Sequence, residues 1–141
     1  MTELIAELKT LRLYGMANGY AELVQNGGPT IAETDWLLHH LLEAERIDRS
    51  LRSVRYQMHV ARFPIHRDLT GFDFAQSPVE RRQIEQFATL EFSTRAENLV
   101  LLGGTGTGKT HLATALGVQA IAEHGKRVRF YSTIELVNTL E

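Results

Sequence analysis

Eight residues constrain this chain more than any other stretch: Gly103-Gly104-Thr105-Gly106-Thr107-Gly108-Lys109-Thr110, which satisfies the pattern G-x-x-x-x-G-K-[ST]. Its glycines let successive backbone N–H groups turn to one side with no Cβ in the way, which makes a nest for an anion. Before it stands Leu99-Val100-Leu101-Leu102, a short apolar run of the kind that forms a strand buried on both faces of a parallel sheet. After it, Lys109 to Glu123 has helical spacing through Leu112, Leu116, Ala120 and Ile121, and Gly125 suits a left-handed cap. Strand, glycine turn and helix N-terminus in that order are the setting in which such a loop holds phosphates, because the helix adds unpaired N–H groups and the positive end of its dipole. In that role Gly103, Gly104, Thr105, Gly106, Thr107 and Gly108 cradle a nucleoside triphosphate together with Lys109, Thr110 and His111. Lys109 and Thr110 are the candidate catalytic pair: the ammonium reaches the β- and γ-phosphates and the hydroxyl ligates Mg²⁺. A chain of this length meets the pattern by chance at a frequency on the order of 0.5%, so a bare flexible turn is the weaker reading.

Val128-Arg129-Phe130-Tyr131 reads as a second strand and Ser132-Thr133-Ile134-Glu135 as the start of another helix. The expected class is therefore α/β, with the first strand-helix-strand of a phosphate-loop parallel sheet, right-handed by the general rule. A hydrolase of this kind needs a further strand ending in an acid to hold the magnesium and polarise water, and none follows Tyr131. The sequence is expected to be the front part of a longer protein, an ATPase when complete and inactive as it stands.

The first half is helical in pattern. Leu4, Leu8 and Leu11 start a helix that breaks near Leu13 to Gly15, a second short helix runs through Met16 to Val24, and QNGGPT over 25–30 is a turn. From Thr34 a long helix carries Leu37, His40, Ala44, Ile47, Leu51, Val54, Met58 and Ala61 in steps of three and four, a seam for the preceding helices or for a partner helix. Phe63-Pro64 ends it. Ser77-Pro78-Val79-Glu80 predicts a reciprocal capping box opening a helix from Pro78 to Leu90. The domains expected are 1–66, helical; 67–98, a linker with that capped helix; and 99–141, part of a nucleotide-binding domain.

The chain's 141 residues carry a net charge of −2, which conceals unlike segments. Residues 1–45 hold two cations against seven acids, whereas Arg46, Arg49, Arg52, Arg55, Arg62 and Arg67 face Asp48 alone over 46–67. Two readings stand for this block: contacts to DNA phosphates, with steep salt dependence, or a solvated helix face neutralised by the acidic first helices. Cysteine is absent, which removes thiol catalysis and Cys-containing metal sites. The six histidines have no ligand spacing, so no metal centre of their own is expected. Trp36 and Tyr56 are candidates to stack on bases, though Trp36, beside the apolar seam, reads rather as core; Phe72 and Phe74 read as either the border of an adenine pocket or a plug between domains. With no apolar leader at the start and no run of about 18 apolar residues, a cytoplasmic protein without membrane contact is expected.

The residues resemble the IstB-like ATP-binding proteins, helper ATPases of insertion-sequence transposition in the DnaA and DnaC clade of AAA+ proteins. The likeness is carried by Leu8-Lys9-Thr10-Leu11-Arg12-Leu13 with Gly15-Met16-Ala17, by Leu41-Leu42-Glu43-Ala44-Glu45, by Ala61-Arg62-Phe63-Pro64 and by Phe72-Asp73-Phe74. It continues through Glu97-Asn98-Leu99, the glycine loop, His111-Leu112-Ala113 and Ala115-Leu116-Gly117. The resemblance implies a helical domain joined to an AAA+ module (the glycine loop being its Walker A element) that binds ATP and Mg²⁺. It also implies ATP-dependent homo-oligomers on double-stranded DNA and engagement of a transposase. A helicase loader with a replicative helicase as partner, or a truncated nucleotide-binding module without hydrolysis, are the alternatives. Gly104 stands where the family commonly has proline, and no positions here correspond to its Walker B acids, sensors or arginine finger.

Overall fold

The structure, a computed structural model, describes residues 2–27 and 34–141. Of the turn expected over 25–30, residues 26 and 27 are a turn and 28–30 lie outside the described residues. The described residues group into two compact units, 1–55 and 56–141. Helices α1 (Thr2–Thr10) and α2 (Tyr14–Gln25) belong to the first, and α3 (Thr34–Ala61) contributes to both. The second also holds a 3₁₀ turn (Phe74–Gln76), α4 (Arg81–Ala88), α5 (Glu91–Thr94), α6 (Lys109–Ala122) and α7 (Thr133–Leu140). Among the described residues no helix is long and apolar enough to cross a membrane.

In the first unit α2 covers the predicted seam of α3 at Ala44 and leaves Ile47 and Leu51 exposed. Leu41 and Glu45 are buried, while Ile47 and Leu51 are each 52% exposed, and so is half of Trp36, which stacks on His40 at 5.2 Å instead of entering the core. The cause is a close approach by α2, whose Gly15, Ala17 and Gly19 are buried. A Cβ on Gly15 would strike the Ala44 carbonyl oxygen and lie 2.7 Å from Asp48 Cβ. No side chain of α2's own N-cap satisfies its first turn. Glu45 does so from α3, accepting the Met16 N–H at 3.2 Å and Arg49 Nε at 2.7 Å. A carboxylate that terminates one helix and pairs an arginine of another fixes the rotation of α3, and Ile47 and Leu51 are left outward.

The second unit is built around α6, which buries Leu112, Thr114, Ala115, Leu116, Val118, Ala120 and Ile121. Phe72, Ile84, Ala88, Leu112 and Leu116 form its core, with Leu69, Phe74, Val79, Phe87, Leu99 and Leu101 packed against them. Gly125, at φ 58°, turns the chain after α6 as the sequence predicts, and the Gly125 and Lys126 N–H groups donate to Ile121 and Ala120 carbonyls.

Two expectations are corrected here. Neither Leu99–Leu102 nor Val128–Tyr131 forms a strand, and no strand occurs among the described residues. A strand exists by its ladder, and these segments do not pair with each other; the Phe130 N–H goes instead to the Ala61 carbonyl at 2.7 Å. Burial on both faces also fails: Leu99 and Leu101 rest on the core, whereas Val100 is 71% and Leu102 90% exposed. That alternation is what one covered face gives. The capping box at Ser77–Glu80 is likewise absent. Ser77 Oγ accepts the Val79 N–H at 3.3 Å instead of that of Glu80, Val79 packs against the core, and the helix begins only at Arg81, after an extended Glu80. A reciprocal box does form at Ser132 and Glu135, the helix start read from Ser132-Thr133-Ile134-Glu135.

Burial pushes the Glu45 carboxyl up, but the Arg49 hydrogen bond, the Met16 and Gly15 N–H groups and the Arg49 charge outweigh it and hold the group below the ordinary glutamate value. A lowered folded-state pKa contributes stability that is fully present above the ordinary value and is lost as the pH falls through the folded one. Glu45→Ala is expected to cost on the order of 2 kcal/mol in urea unfolding followed by circular dichroism, and Glu45→Gln to flatten the acid limb of the stability profile. An unchanged acid limb contradicts the role given to Glu45.

Candidate phosphate-binding site

The glycine loop opens α6 in the manner the sequence demands. Gly108 is the N-cap, at φ 91°, and contributes no side chain to the cap; the first helical bond runs from the Leu112 N–H to the Gly108 carbonyl. The N–H groups of Lys109, Thr110 and His111 therefore have no acceptor within the helix. Gly106, at φ 76°, makes a second left-handed step. Both conformations are readily reached only by glycine.

The loop is bonded to itself through one carbonyl. Thr107 Oγ1 donates to the Gly104 oxygen at 2.8 Å, and Lys109 Nζ donates to the same oxygen and, at 3.3 Å, to Thr107 Oγ1. The lysine thus lies back across the loop with a third N–H still to give. Thr110 sits in the first turn of α6 with its side chain exposed.

Phe72 walls the loop: a Cβ on Gly108 would lie 2.7 Å from its ring. That ring is buried, meeting Phe74 edge-on at 4.8 Å and His111 at 5.2 Å, and Phe74 lies under the Arg81 guanidinium. Phe72 lies in the core of this unit and Phe74 packs against that core. His111 Nε2 lies 3.0 Å from the Asp68 carbonyl oxygen, which only accepts, so Nε2 carries the proton. The Asp68 carboxylate takes the Thr70 hydroxyl and the Gly71 N–H, which hold it below the usual carboxylate range. It is therefore committed to its own turn. The sequence reading missed this support, although Asp-x-Thr-Gly is the signal of such a turn.

A hollow of about 290 Å³ beside the loop is lined by Pro64, Ile65, Arg67, Thr110, His111 and Thr114. An apolar hollow of about 410 Å³ against Leu90, Leu99, Leu101 and Leu116 includes no residue of the loop. No group of three or more histidine, aspartate or glutamate residues among the described ones is placed to hold a metal.

Three of the six arginines are ion-paired within α3. Arg46 pairs with Glu43, Arg49 with Glu45, and Arg52 with Asp48, each at 2.7 Å, and Arg52 also covers the Tyr14 ring. Arg55, Arg62 and Arg67 make no ion pair among the described residues. Arg62 turns the chain out of α3 at φ 54°, and Arg67 lines the hollow beside Thr110.

Comparison with known proteins gives one consistent result. The family described as IstB-like ATP binding protein matches residues 6–141. A protein named for ATP binding in insertion sequence IS5376 of Geobacillus stearothermophilus is 35% identical over 131 residues, 92% of this chain and 52% of its own length. Its counterpart in insertion sequence IS21 of Pseudomonas aeruginosa is 34% identical over 141 residues, 99% of this chain and 53% of its own. That of insertion sequence IS232 in Bacillus thuringiensis subsp. berliner is 33% identical over 122 residues, covering 84% and 48%. The chain spans about half the length of these curated relatives.

Gly108→Ala forces an L residue into a left-handed step against the Phe72 ring. It is expected to cost on the order of 2 kcal/mol in urea unfolding, and Phe72→Leu to recover part of that loss in the double variant. Simple additivity of the two changes contradicts a contact between them.

Proposed function

We propose, from the fact that the chain belongs to the family of IstB-like ATP-binding proteins, that Gly103–Thr110 and His111 bind ATP with Mg²⁺. The observation that carries the reading is the loop itself, with left-handed Gly106 and Gly108 leading into α6 and Lys109 laid back across the turn. The free N–H groups of the first turn donate to phosphate oxygens, and the Lys109 ammonium, tethered at the Gly104 carbonyl, donates its remaining hydrogen to the β- and γ-phosphates. Mg²⁺ keeps several waters and takes few protein ligands beside phosphates, so one exposed hydroxyl, that of Thr110, fits it. When bound, the ion offsets the phosphate charge. Hydrolysis calls for a group to orient water, and the carboxylate of Asp68, whose carbonyl meets His111, is engaged in its own turn. Turnover is therefore assigned to a longer protein and binding to these residues.

The family's membership and the insertion-sequence names of its relatives support a helper role in DNA transposition, with double-stranded DNA, a transposase and further copies of the chain as partners, in preference to a replicative helicase. The same ground supports an α/β fold, a helical domain over 1–66, a connection over 67–98 and the opening of an AAA+ module over 99–141. Arg55, Arg62 and Arg67 are the cations of the basic block that no carboxylate holds among the described residues, and DNA phosphates are the ligand proposed for them.

Lys109→Ala is expected to abolish ATP binding by calorimetric titration while leaving the circular dichroism spectrum unchanged; retained affinity contradicts the assignment. Arg55→Ala is expected to weaken duplex binding and to reduce the slope of log K against log salt by about 1, whereas an unchanged slope removes Arg55 from the interface.

A further inference from the structure

Away from the loop, the last turns of α3 and the segment after α6 enclose an open groove of about 430 Å³ lined by Tyr56, Gln57, Val60, Arg127, Val128 and Arg129. Tyr56 is 63% exposed, a large aromatic face with no partner ring among the described residues. Arg127 is exposed and makes no ion pair among the described residues, and no carboxylate lines the groove. Arg129 is held in place: Nη1 donates to the Val60 carbonyl at 2.7 Å and the guanidinium lies 5.4 Å from the Tyr131 ring. Glu135 is close enough to feel the charge of Arg129, but its carboxylate is taken by the Ser132 N–H and hydroxyl. A guanidinium fixed by the fold loses little freedom when it takes a ligand.

We propose that this groove binds a segment of single-stranded DNA, with Tyr56 stacking on an unpaired base, Arg127 and Arg129 on the phosphates and Gln57 on a base edge. Arg127 and Arg129, in a groove whose lining holds no carboxylate, favour a polyanion. An exposed ring selects one with planar faces to offer, and a duplex keeps those faces inside its stack. The volume falls in the ~300–1,000 Å³ range of small-ligand sites, enough for a nucleotide and part of its neighbour. The inference deepens the DNA role proposed above and rests on it, but it needs neither bound ATP nor the arginines of the α3 block.

The test is fluorescence anisotropy on the full chain, without nucleotide, using labelled oligo(dT) and a duplex of equal length. Tyr56→Ala is expected to weaken oligo(dT) binding about tenfold while duplex binding stays within twofold, and Tyr56→Phe, which keeps the stacking face, to bind as the parent does. Arg127→Gln is expected to weaken oligo(dT) binding and lower its salt slope by about 0.7. Both residues are exposed, so loss of fold does not cloud the result, and circular dichroism checks it. If neither substitution changes oligo(dT) binding while Arg55→Ala weakens duplex binding, the groove is wrong and the DNA role stands. If the parent chain binds neither probe, both fall.

Discussion

The contact between Phe72 and Gly108 is the constraint from which the second unit takes its order. Gly108 must adopt a left-handed turn to let α6 begin at Lys109, and the Phe72 ring lies where any side chain at that position would go. The same ring meets His111, one turn into the helix, and His111 is bonded to the carbonyl of Asp68. Segment 68–74, which has no helical or strand period, is thus tied to the glycine loop at two points. Its other side joins Ile84, Ala88, Leu112 and Leu116 in the core. The loop can be open and glycine-rich without being loose, because its boundaries are set by buried aromatic packing.

The first unit depends on a polar contact of similar weight. Glu45 is buried, completes the N-terminus of α2 and holds Arg49. A buried carboxylate without such partners would be costly, so the same geometry that admits it also dictates which side of α3 meets α2. Half of the basic block is absorbed in this way. Arg46, Arg49 and Arg52 each pair with an acid of the helix that carries them.

Much of this was legible in the residues. The glycine pattern, the helix that follows it, the break before Pro64 and the helix starting after Ser132 all depend on neighbours in sequence, and local chemistry is what sequence records best. The misreadings share one cause. Leu99–Leu102 has the composition of a strand, but a strand needs a partner that its own residues do not specify. Ile47 and Leu51 have the spacing of a core seam, but Glu45 and the glycines of α2 decide the face. Ser77 and Glu80 have the spacing of a capping box, but the Ser77 hydroxyl is taken by the Val79 N–H, Val79 packs on the core, and the helix starts only after Glu80. In each case a contact between distant residues overrode a correct local preference. Tyr56 and the pair Arg127 and Arg129 lie about 70 residues apart, and only the fold sets them around one groove.

Amide hydrogen exchange with and without ATP and Mg²⁺ addresses the phosphate-binding account most directly, because it reads the backbone N–H groups said to bind. Protection is expected to rise over Gly104–His111, with little change in α1, α2 or the first turns of α3, and to vanish in Lys109→Ala. Unchanged exchange across the loop at saturating ATP, or protection confined to another part of the chain, would contradict it.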